Sequence, residues 1–204
     1  MKKLNILLST SAISLLLLSG CATKVQLIDP NHDTGEQVMS LDYRDFNKAA
    51  STAVQSMLKS PALDKKDGKR FVLVISNVEN DTMQHIDTDQ LIKRIRIELL
   101  NSGKVFVTTA VGSKGNVDEM NDETRELVNN KNFKQSSIAK QGTLIAPDMS
   151  LSGKILQKNI GMSDDKQQVE YYFMLTLTDI KTGFAVWEGE TFIGKRGSAK
   201  SVAW

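Results

Sequence analysis

Ten residues near the C-terminal end set the tightest limit on the fold. From Val169 to Thr178 the chain alternates without a break: Val169, Tyr171, Phe173, Leu175 and Leu177 occupy one set of positions, and Glu170, Tyr172, Met174, Thr176 and Thr178 the other. A period of two over this length does not fit a helix, whose apolar positions recur every three or four; it specifies a strand with one core face and one mixed face. Met149 to Asn159 reads as a strand before it, with a turn at Gly161 to Lys166. Phe184 to Ile193 reads as a strand after it, across a turn at Asp179 to Gly183. Three consecutive strands joined by short turns make an antiparallel meander in the C-terminal third.

Upstream the period changes. Phe46, Ala49, Ala50, Ala53, Val54, Met57 and Leu58 recur at three and four, with Asp42 placed to cap and Pro61 just past the end, so this stretch is an amphipathic helix. Phe71 to Ser76 is a continuous apolar run rich in Val and Ile, as a strand buried on both faces would be. A second helix from about Thr88 to Asn101 points Leu91, Ile92, Ile95 and Leu99 inward and stops at Gly103. Lys104 to Thr109 then completes a strand, helix, strand unit. Weaker helical stretches fall at Asp122 to Asn129 and Gln135 to Lys140. The expectation is one α/β domain over residues 41–204, with a mixed sheet of about five strands and flanking helices.

The N-terminus carries a different message. Lys2 and Lys3 precede an apolar run from Ile6 to Leu18, and Leu18-Ser19-Gly20-Cys21 follows. About 13 apolar residues are too few for a membrane-spanning helix, which needs roughly 20, so residues 1–20 read as a secretory signal. Its ending resembles the bacterial lipobox, in which the Cys is acylated and becomes the new N-terminus. The candidate lipidation site is therefore Cys21, the sole cysteine of the chain. More than one acyl chain is needed for a lasting anchor. By resemblance to lipoprotein sorting, Ala22 after the Cys directs the protein to the periplasmic side of the outer membrane. Residues 22–40 are polar, contain Pro30 and Gly35, and read as a short flexible tether reaching at most about 65 Å.

Composition excludes several functions. The chain has 26 basic and 24 acidic residues, but two of the lysines belong to the leader, so the body is neutral and lacks the footprint of a nucleic-acid binder. One Cys and two His rule out a disulfide framework and a His- or Cys-rich zinc site, and no cofactor is expected.

Catalytic motifs fail on spacing. Ser137-Ile138-Ala139-Lys140 and Lys181-Thr182-Gly183 match two short motifs of penicillin-recognising serine enzymes. Those enzymes place a large helical subdomain between the two and need a Ser-Asp-Asn that is missing here. Lys181-Thr182-Gly183 lies instead at a hairpin turn, where Gly183 supplies a positive φ. His85 to Asp89 reads as a helix start, with Asp87 as cap, rather than a metal cluster or a His base. Gly112-Ser113-Lys114-Gly115 lacks the spacing of a phosphate loop. No catalytic residue is expected, and the protein is not read as an enzyme.

Three stretches resemble one family. Thr143 to Ile155 (TLIAPDMSLSGKI), Thr178 to Glu190 (TDIKTGFAVWEGE) and Lys195 to Trp204 (KRGSAKSVAW) look like the LpoB family, outer-membrane lipoprotein activators of class A penicillin-binding proteins, the bifunctional peptidoglycan synthases. Related α/β domains, including the N-terminal domain of TolB and the core of curli-secretion lipoproteins, share the architecture. The resemblance implies a non-enzymatic, lipid-anchored periplasmic regulator that contacts a small docking domain of the synthase. The tether departs from the long Pro-rich segment of the best-known members. The alternative is a lipoprotein subunit of a secretion or envelope-assembly complex.

For a partner surface, the sequence offers two sets of residues. Tyr172 and Met174 lie on the mixed face of the alternating strand, unless a helix covers them. Lys195, Arg196, Lys200 and Trp204 form a basic tail from Gly194 onward that ends in an aromatic, a mix found at interface anchors.

Overall fold

A computed structural model describes residues 25, 27–30, 32–113 and 117–201. The expected signal sequence 1–20, Cys21 and Trp204 lie outside them. The chain divides into two units, 1–36 and 37–204. Among the described residues of the first there is neither helix nor strand.

In the second unit, helix α1 (Tyr43–Lys59) begins on a reciprocal cap. The Asp42 carboxylate accepts from the backbone N–H of Arg44 and Asp45, and the Asp45 carboxylate accepts from the N–H of Asp42. Burial of Asp42 opposes ionisation, but the side-chain and backbone hydrogen bonds of Arg44 outweigh it and hold the carboxyl below its ordinary range. The helix buries Ala49, Ala50, Ala53, Val54 and Met57, the stripe that its periodicity predicts.

Strand β1 (Phe71–Asp81), helix α2 (Thr88–Ser102) and strand β2 (Val105–Val107) form the expected crossover unit, with β1 and β2 parallel. Asp87 caps α2 through Asp89 N–H, and Gly103 closes it in the left-handed conformation. β1 runs to Asp81, past the expected end at Ser76. The extension is polar and held by pairing with the next strand rather than by its own pattern. Helix α3 (Met120–Arg125) is shorter than the expected stretch, and Gln135–Ser137 forms a single 3-10 turn; neither buries a residue, so nothing apolar holds them longer.

Strands β3 (Met149–Gly161), β4 (Lys166–Asp179) and β5 (Ala185–Ser198) form the meander. The sheet order is β2-β1-β3-β4-β5, parallel in its first two pairings and antiparallel in its last two. This is the expected mixed five-stranded α/β fold. One boundary is corrected. β5 continues to Ser198, so Lys195 and Arg196 belong to a strand and not to a tail. Gly194 and Gly197 interrupt the apolar pattern there, but each lies under a neighbour: the Phe192 ring over Gly194, and the Met39 sulfur over Gly197.

Both long helices pack on one face of the sheet, as their contacts with β1, β2 and β5 and with each other show. Between them and the sheet lies one core, including Leu73, Ile75, Leu151, Ile155, Tyr171, Phe173 and Leu177. Phe46 of α1 meets Phe173 edge-on at 6.0 Å.

Candidate partner-binding face

The alternation of β4 divides its side chains between two environments. Val169, Tyr171, Phe173, Leu175 and Leu177 are buried toward α1 and α2, whereas Glu170, Tyr172, Met174, Thr176 and Thr178 are half-buried on the opposite face. The two long helices leave that second face open. Register then decides which side chains meet there. Tyr172 lies between Leu156 of β3 and Phe192 of β5, and Met174 between Lys154 and Glu190.

Tyr172 is held in place by its neighbours. Its ring lies 5.4 Å from that of Phe192 at a tilt of 57°, and the Lys158 ammonium stands 5.0 Å from its centroid. The phenol donates to Glu170 Oε2 at 2.7 Å; Gln168 Nε2 donates to Glu170 Oε1 at 2.6 Å, and Arg196 Nε to Gln168 Oε1 at 2.5 Å. The Tyr172 hydroxyl, followed by Gln168, pulls the Glu170 carboxyl below its ordinary range, and the same Glu170 bond raises the Tyr172 phenol. A charged ladder borders the aromatic pair. Lys154 reaches Asp81 at 2.7 Å and Glu79 at 3.4 Å, and Thr176 donates to Glu188 at 3.3 Å. Phe192 is 51% exposed, and its ring lies over Gly194, where a Cβ would displace it. The result is an aromatic and thioether centre with a polar rim, the composition of a protein-binding surface.

Of the residues expected from the sequence, Tyr172, Met174 and Arg196 share this face. Lys195 does not. Its side chain points to the other face, where the ammonium pairs with Asp45 at 2.5 Å, both side chains only 9% exposed, and also donates to Ser40 O at 2.6 Å. A lysine in a buried ion pair has no free charge to offer a partner, so its place among exposed tail residues is corrected. Lys200 is exposed just beyond β5. Sequence reasoning missed Phe192, Lys158 and the Gln168–Glu170 link. Phe192 was within reach of the same alternation, since it falls between Thr191 and Ile193, which are buried.

The rejected motifs serve local turns. Ser137 Oγ donates to Lys134 O, and Lys181 lies in the β4–β5 turn, where Asp179 accepts from the Thr182 N–H and hydroxyl and Gly183 has φ 74°. Among the described residues, no cluster of His, Cys, Asp or Glu forms that could hold a metal, and no helix is long and apolar enough to cross a membrane.

A family model described as peptidoglycan-synthase activator LpoB matches residues 45–193, which spans α1 to β5 and most of the second unit. The chain belongs to the LpoB family. The family's description is that of a synthase activator, a regulator rather than a catalyst. No curated protein matches the sequence. Among solved structures, the LpoB C-terminal domain from Escherichia coli is similar at 17% identity and TM-score 0.44, covering 73% of this chain and 98% of that one. The NMR structure of E. coli LpoB gives 14%, 0.40, 88% and 81%. A PelC dodecamer from Paraburkholderia phytofirmans gives 15%, 0.32, 64% and 74%. Likenesses this distant carry no argument about function, and the family rests on the match over 45–193.

Proposed function

We propose that this chain is a lipid-anchored, non-catalytic activator of a class A penicillin-binding protein, held to the periplasmic side of the outer membrane through Cys21. The family match over residues 45–193 carries the reading. The surface we assign to the synthase is the open face around Tyr172, Met174 and Phe192, with Arg196 and Lys200 at its rim and Trp204 as an added anchor. Three features support that choice. Neither long helix covers the face, its centre is aromatic, and Glu170 and Lys158 hold Tyr172 in one orientation before a partner arrives.

The test uses the full chain in detergent with a purified class A synthase. The wild-type chain accelerates glycan polymerisation and turns over no lipid II alone. Tyr172→Ser with Phe192→Ser weakens the stimulation at least tenfold in half-maximal concentration while the melting temperature stays within a few degrees. A wild-type chain that stimulates no cognate class A synthase would overturn the activator reading. A double variant with undiminished stimulation would move the interface elsewhere.

A further inference from the structure

Diagonally across the sheet from Tyr172 lies a second surface that the activator reading does not use. Tyr172 pairs through Leu156 with Asp81, the last residue of β1. The other surface gathers at the start of β1 and on β2, where Val72 and Phe106 are in register. There Lys65, Gly68, Lys69, Arg70, Val72, Phe106, Ile145 and Asp148 line a cleft of about 440 Å³. Its apolar part is unusually bare: Phe106 is 53% and Ile145 73% exposed.

The rim is basic and partly unpaired. Lys65, Lys66, Lys69 and Arg70 fall within six residues, with Asp67 among them. Lys65 is engaged, donating to Asp148 Oδ2 at 3.1 Å, and Lys69 lies 3.7 Å from Asp67. The Arg70 guanidinium stands 4.8 Å from the Phe106 centroid, a cation–π placement. Among the described residues no carboxylate pairs with it or with Lys66. Arg70 is exposed, and a guanidinium held beside a ring can still receive a carboxylate through two parallel hydrogen bonds.

We propose that this cleft docks an acidic segment of a partner protein, with one apolar side chain between Val72, Phe106 and Ile145 and flanking carboxylates on Arg70, Lys69 and Lys66. A concave apolar floor takes a protruding side chain, whereas a lipid surface needs protruding apolar groups on the protein. Phosphate fits less well. The loop amides are already used, Gly68 N–H by Lys65 O and Lys69 N–H by Asp67 Oδ1, and the Asp67 and Asp148 carboxylates beside the cleft repel a dianion more than a single carboxylate.

A random peptide library displayed on phage and selected on the full chain in detergent tests this. The recovered peptides share a central Leu, Ile or Phe flanked by Asp or Glu. Lys69→Glu with Arg70→Glu weakens each by tenfold or more, as does Phe106→Ser with Ile145→Ser, while Tyr172→Ser leaves them unchanged. The proposal falls if no peptide saturates, if the consensus lacks carboxylates, if the Lys69/Arg70 variant binds equally well, or if inorganic phosphate displaces the peptides at like concentration. Because no synthase enters the assay, its failure is separate from failure of the activator reading.

Discussion

Thr191 lies in the core with an incomplete environment. It is 5% exposed, it faces the helices from β5 beside Phe173, and its hydroxyl has no hydrogen-bond partner among the described residues. A buried hydroxyl without a partner is costly, and Val has nearly the same shape. Thr191→Val is therefore expected to raise stability by about 1 kcal/mol in denaturant unfolding. Tyr171 contributes a pH-dependent share of stability on the alkaline side. Burial, followed by the Asp45 charge, pushes its phenol up to about 12 from an ordinary value of 10.0. Between those values the unfolded chain has released this proton and the folded chain has not, so stability is complete below pH 10 and declines as pH rises through about 12. Tyr171→Phe removes that decline along with the hydrogen bond to Met39 O, and the difference between the two melting curves at pH 9 and pH 11 measures it. On the same strand, Leu175→Ala is expected to cost roughly 2 to 4 kcal/mol and Thr176→Ala well under about 1 kcal/mol. Equal midpoints for these two would contradict the burial of Leu175 and the outward position of Thr176.

At the scale of elements, β5 decides how much of the C-terminus is dispensable. Sequence alone places a tail from Gly194, and deletion from residue 195 then looks harmless. In the structure that cut removes Lys195 and strands Asp45, a buried carboxylate at the start of α1. Breaking a buried pair from one side costs about 3 to 5 kcal/mol. A chain ending at Ser198 is expected to melt close to wild type, and one ending at Gly194 far below it. The elements most legible in the sequence are those that carry their own period or cap: α1 with Asp42, α2 between Asp87 and Gly103, and β4. The polar end of β1 and the glycine-broken end of β5 were not legible, because pairing with a neighbour makes them strands. The candidate face was half legible for the same reason. Tyr172 and Met174 followed from alternation within one strand, and the same alternation put Phe192 within reach, whereas Lys158 and Arg196 join them through register, which no local pattern reveals.

For the whole molecule, attachment is the first question. Cys21→Ser is expected to yield an uncleaved or a soluble periplasmic form, without incorporated palmitate. A variant still labelled with palmitate would refute the lipobox reading. A second matter concerns where the chain enters the folded unit. Lys195 grips Ser40 O and Asp45, Tyr171 grips Met39 O, and the Met39 sulfur rests on Gly197, so residues 39–40 and the first turn of α1 are fastened to β4 and β5. In the anchored arrangement proposed above, tension between Cys21 and a bound partner would reach this fastening before it reached the core. The Lys195–Asp45 pair would then be the first contact to carry the load. Yielding there would lengthen the leash from the start of α1 and leave the pairing of β3 with β4 untouched.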